Sequence, residues 1–147
     1  MENQVKTIIP PDQVLIDVIK KARMSFQWLT ELDTEWHRRI ENHKDGSQIR
    51  EQQGIILDIF AVYINSLVDK TKGTHSFLRS YKPHSFIEQF NKNPFVKLCI
   101  KHRMNRAGHQ SEKYGSVAAL DVVLASRLDE WLNEAYYLVG TGQLEKR

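Results

Sequence analysis

Between positions 15 and 29 the apolar residues Leu15, Val18, Ile19, Ala22, Phe26 and Leu29 recur at intervals of three and four. That is the repeat of one face of an α-helix. A strand places successive side chains on opposite faces, so this spacing cannot keep a strand half-buried. The same period returns in Ile56, Ile59, Phe60, Tyr63, Ile64 and Leu67. It returns again in Ala119, Leu120, Val123, Leu124, Leu128, Trp131, Leu132 and Ala135. No segment alternates apolar and polar residues over the length of a strand, and no internal repeat or low-complexity segment interrupts the chain. Each amphipathic helix needs another to cover its apolar stripe. The expected fold is therefore all-α: an up-and-down bundle of four long helices plus a short helix, in a single domain over residues 1–147.

Glycine and proline mark the boundaries. The first helix should start at Pro10-Pro11-Asp12, since proline is tolerated in a first turn, and continue through Trp36 and Ile40 to a break at "HKDGS". The second should run from a Ser47 cap to Lys72, ended by Gly73. "THSFLRSYKPH" reads as irregular. Ser85 then caps a short helix, Phe86 to Phe90. Asn93-Pro94 is a cap followed by proline at the first helical position, starting a helix that should reach Gly108. Ser116 should cap the last helix and Gly140 close it. The expected core holds Ile56, Phe60, Tyr63, Ile64, Leu98, Leu120, Val123, Leu124 and Leu128.

A chain that is 41% hydrophobic and 27% charged suits a folded domain rather than a disordered one. No apolar run approaches the ~18 residues that span a bilayer, and the N-terminus lacks the basic-then-apolar plan of a secretory signal. The lone Cys99 cannot form an intrachain disulfide, so a cytoplasmic location without membrane attachment is expected. The six histidines, His37, His43, His75, His84, His102 and His109, make no recognised metal spacing, and no glycine-rich phosphate loop is present. Neither a metal nor a cofactor is expected. His75 and His84 read as ordinary loop residues, Cys99 as buried filler, and Trp28, Trp36 and Trp131 as core or interface residues.

The distribution of charge is more specific than its total. The net charge is only +3, but no acidic residue stands between Glu88 and Glu112, while Lys92, Lys97, Lys101, Arg103 and Arg106 do. On a helix, Phe95, Leu98, Cys99, His102, Asn105, Arg106 and His109 share one stripe, and Val96, Ile100, Met104 and Ala107 a neighbouring one. The first stripe changes from apolar to hydrogen-bonding along its length. The second stays apolar and can keep the helix docked. The polar set then reaches a groove or an interface. Solvation of a helix end by cations is the simpler account of the same residues.

The stretch "FVKLCIKHRMNRAGHQ" resembles the motif region of HEPN-domain proteins, small α-helical bundles. Many are metal-independent ribonucleases of toxin–antitoxin, phage-defence and CRISPR-associated systems. The family signature is an Arg, usually followed by a polar residue, with a His four to six residues further on. Arg103 and His109 have five residues between them. Met104 stands where the family commonly has Asn, Asp or His, and Asn105 comes one position later. The resemblance implies His109 as general acid or base and Arg103 as stabiliser of the phosphoryl oxygens. It implies Asn105 and Arg106 as orienting or phosphate-holding groups. Lys101 and His102 join them as substrate-binding candidates, His102 being a second candidate for proton transfer. It further implies RNA or a nucleotide as ligand, a homodimer with two motifs meeting, and a cognate antitoxin protein as partner. Two alternatives stand beside the nuclease: a non-catalytic HEPN-like module binding nucleotide, RNA or a protein, and a helical interaction protein outside the family.

Overall fold

The computed structural model describes residues 10–102 and 122–147. Its helices are α1 (Pro11–Glu41), α2 (Ser47–Val68), α3 (Phe77–Ser80), α4 (Ser85–Lys92), α5 (Pro94–His102) and α6 (Val122–Gly140). No strand occurs among the described residues. One isolated antiparallel bridge joins Tyr81 to Lys146. The architecture is an all-α bundle.

α1 begins where the double proline places it, with the Pro10 carbonyl accepting from the Gln13 and Val14 amides. Its expected stripe faces inward, with Leu15, Ile19, Ala22 and Leu29 fully buried. The helix ends as the Asn42 amide returns to the Arg38 and Arg39 carbonyls, and His43 turns the chain at φ 55°. α2 then runs back antiparallel along α1. Asp33 meets Arg50, and four residues earlier on α1 the Leu29 carbonyl meets Gln53. α6 is antiparallel to α1 on another flank, since Arg23 reaches Asp129 and Asn133 while Lys20 lies over Tyr136. α5 packs on α2. Phe77, Phe86, Phe90 and Trp131 form an aromatic cluster that joins the short helices to α6.

Several local expectations change. Ser47 does not cap α2. The capping residue is Gly46, and the Asp45 carboxylate takes both the Ser47 amide, at 2.9 Å, and its hydroxyl, at 3.0 Å. α2 stops at Val68 rather than Lys72, because Asp69 turns extended and its carboxylate accepts from the Thr71 amide. Gly73, at φ +90°, belongs to the following turn. The segment read as irregular contains α3, a single turn capped by Ser76 and anchored by the buried Phe77. His84 rather than Ser85 caps α4, its Nδ1 accepting from the Phe86 amide at 3.1 Å.

Core placement follows the sequence for Phe60, Ile64 and Leu128, which are fully buried, while Ile56 and Tyr63 pack partly buried against them. Leu98 is only half-buried; Val96 and Cys99 take the innermost places on α5. Ile59 is exposed, with Ile55 and Val62 beside it at helical spacing. α2 carries apolar residues around more of its circumference than α1 and α5 cover. Trp28, expected in the core or an interface, stands 46% exposed. Ala119, Leu120, the Ser116 cap and the side chains of Val123 and Leu124 lie outside the described residues. α6 closes at Gly140, as expected.

After α6 the chain folds back. Leu144 is buried, the Lys82 amide donates to the Glu145 carbonyl and the Arg147 amide to the Ser80 carbonyl. Lys146 pairs with Asp12 at 2.8 Å, and the Tyr81 hydroxyl donates to the same carboxylate. This clasp fixes the α3–α4 connection and the first turn of α1.

Candidate functional site

α5 carries the start of the polar segment singled out in the sequence, Lys101 and His102. Its start is capped as expected, with the Asn93 carboxamide oxygen accepting from the Phe95 amide at 2.8 Å. Pro94 occupies the first helical position, where its missing N–H costs nothing. Val96, Cys99 and His102 are spaced by three residues and all turn inward. Lys101 is exposed. Arg103, Met104, Asn105, Arg106 and His109 lie outside the described residues.

His102 departs from the expectation of a polar stripe that has already left the core. Its side chain is 8% exposed, and its Nε2 stands 2.6 Å from the Asp58 Oδ1 on α2. A carboxylate only accepts, so Nε2 is the donor and carries a proton in either charge state of the ring. The remaining nitrogen, Nδ1, is buried and has no hydrogen-bond partner among the described residues. An unsatisfied buried acceptor costs about 1–3 kcal/mol. The inward stripe of α5 therefore ends in a polar contact rather than an apolar one. It remains part of the α2–α5 seam at residue 102.

Asp58 was not singled out in the sequence, although a signal was present. It is the one charged residue in "GIILDIFAVYI", an otherwise apolar run from Gly54 to Ile64. An acid there must find a partner or face water. Asp58 does both, with its side chain 45% exposed and one oxygen on His102. The pair is thus open to solvent on the α2 side and closed on the α5 side.

Cys99 lies one turn before His102 and is fully buried. Burial pushes its thiol up to about 12, so it holds no reactive thiolate near neutrality. His75 is exposed in the turn before α3, and His84 serves as a helix cap. Among the described residues no three His, Cys, Asp or Glu side chains gather as a metal site would require. Among them, too, no helix is long and apolar enough to cross a membrane. Comparison with protein-family models, with curated proteins and with solved structures finds no match to this chain.

Proposed function

We propose that this chain is a metal-independent endoribonuclease of the HEPN type. The observation that carries the reading is the Arg103-to-His109 spacing in a basic segment that follows directly from a capped bundle helix. The all-α architecture supports it. Cleavage of RNA without a metal uses the ribose 2′-hydroxyl as nucleophile. A base removes its proton, an acid protonates the departing 5′-oxygen, and a cation stabilises the charge on the phosphorus. His109 suits a proton transfer near neutrality. The planar guanidinium of Arg103 suits two phosphoryl oxygens at once. Asn105, Arg106 and Lys101 hold or orient the phosphate backbone.

The active form in this reading is a homodimer that brings two motifs together, as a toxin or phage-defence nuclease held by a cognate antitoxin would be. The exposed Ile55, Ile59 and Val62 on α2 offer an apolar surface to a second copy. The burial of His102 favours a second reading for that residue alone: it acts from within the fold and not by touching RNA.

The deciding experiment is cleavage of a mixed single-stranded RNA in the presence of a chelator. Wild type should cleave. His109→Ala should lose about 10²–10⁴-fold, and Arg103→Ala about 10²–10³-fold, with melting temperatures nearly unchanged. Arg103→Lys should rescue poorly, because a point charge lacks the planar fork. No cleavage by wild type, with both alanine variants melting well below it, would make these residues structural and leave a binding module.

A further inference from the structure

Asp58 and His102 are 44 positions apart in sequence and 2.6 Å apart in space. They join the middle of α2 to the last described turn of α5. A purely structural seam between two helices is usually built from apolar pairs, which avoid the desolvation cost of charged groups. Here the seam is apolar through Val96 and Cys99 and turns polar at the residue immediately before Arg103. The ring is clamped at one nitrogen, and its other nitrogen is buried and has no hydrogen-bond partner among the described residues. A histidine oriented by a carboxylate behind it is a recurrent way of fixing a ring and its tautomer.

We propose that Asp58 is a positioning residue of the ribonuclease site: it accepts from His102 Nε2, holds that ring as the Nε2–H tautomer, and so fixes the last described turn of α5, one position before Arg103 in the sequence. The proposal rests on the ribonuclease reading, because positioning has meaning only if Arg103 acts. Asp58 itself touches no substrate. Its carboxylate is partly exposed but keeps Oδ1 on the buried ring, and its effect passes through the imidazole.

The test uses the full-length chain uniformly labelled with ¹⁵N and an RNA cleavage assay. Long-range ¹H–¹⁵N correlation reads the His102 ring nitrogens, assigned by their loss in His102→Gln. Wild type should show a protonated Nε2 and a bare Nδ1 at mildly alkaline pH. Asp58→Asn can turn its amide toward the ring and donate to Nε2. That variant should shift His102 to the opposite tautomer or to a mixture, with the helical circular dichroism signal unchanged. Its kcat should fall by about 10²-fold, the scale of a small misplacement of reacting groups, while KM holds. Asp58→Glu keeps the charge and should recover part of the rate and the wild-type tautomer. An Nδ1–H ring in wild type, or an Asp58→Asn protein that cleaves like wild type, overturns the positioning role alone. A wild type that cleaves no RNA overturns the ribonuclease reading and the positioning role with it.

Discussion

The Arg50 guanidinium stands 3.7 Å from the centroid of the Trp36 ring, and Gly46 meets the edge of the same indole. One aromatic residue near the end of α1 is thereby enclosed by the turn and first helical turn of α2. Arg50 is further tied to Gln53 at 2.6 Å and to Asp33 at 3.3 Å. The angle at which α2 leaves α1 is set by these contacts.

The first prediction follows from Gly46. A Cβ there would lie 2.7 Å from Trp36 Cδ1 and 2.8 Å from Nε1. The indole cannot retreat without leaving Arg50. Gly46→Ala should therefore destabilise the protein by about 1–3 kcal/mol, the range of overpacking. Thermal melts read the loss, and an altered tryptophan emission should accompany it. Gly54→Ala is the control, since a Cβ there meets nothing within 4 Å and helix propensity favours alanine.

Acid should weaken the fold in a defined window. Burial pushes the Asp12 carboxyl up, but hydrogen bonds from Lys146 and Tyr81 and the charge of Lys146 outweigh it. The net value lies below 3.8. Hydrogen bonds from Arg38 and Arg39 hold Glu35 at about 2, against an ordinary 4.5. A carboxyl depressed in the folded state adds stability above its unfolded pKa, and that stability is lost as pH falls through the folded value. Denaturation midpoints should thus decline from about pH 4.5 toward about pH 2. Asp12→Asn should lower stability at neutral pH and flatten the part of this decline below 3.8. A pH profile identical to wild type would show that the clasp on Asp12 contributes nothing.

Cys99 should be silent to thiol reagents in the native state. It is fully buried, and burial holds its thiol at about 12. Reaction with an aromatic disulfide reagent should proceed only at the rate of unfolding, and accelerate on addition of urea. Cys99→Ser should lower the melting temperature, because a hydroxyl replaces a small apolar group in the seam, and under the ribonuclease proposal it should leave cleavage intact.

The fourth prediction concerns α2. Ile55, Ile59 and Val62 are 62%, 36% and 41% exposed and fall on one face. If a second copy covers this face, Ile59→Glu should convert a dimer to a monomer in light scattering at micromolar concentration, and abolish cleavage without lowering the helical signal. A wild-type chain that is monomeric and still cleaves RNA would sink the shared-site model.

The long helices were legible in the sequence because their stripes are long and their ends carry proline, asparagine or glycine. Pro11, Pro94 and Gly140 each fall where the pattern places them. What was not legible depended on neighbours distant in sequence. Ile59 has the same residue type as Ile64, and only the positions of α1 and α5 decide which of the two is covered. His84 resembles a loop residue until the Phe86 amide needs an acceptor. Nothing local foretells that residues 145–147 pair with residues 80–82. For the candidate site the sequence supplied Lys101, His102 and the Arg103–His109 spacing. The burial of His102 and its contact with Asp58 required the packing of α5 on α2.

α1 is shared by two partners that reach it over very different lengths of chain. It meets α2 through residues 17 and 24 positions apart, and α6 through Arg23 and Asp129, 106 positions apart. Loop-closure entropy grows with the logarithm of length, so the second contact costs about 1.6 kcal/mol more to close than the first. The α1–α2 contact is therefore the less costly of the two to close, and φ-value analysis should find it more fully formed in the folding transition state than the α1–α6 contact.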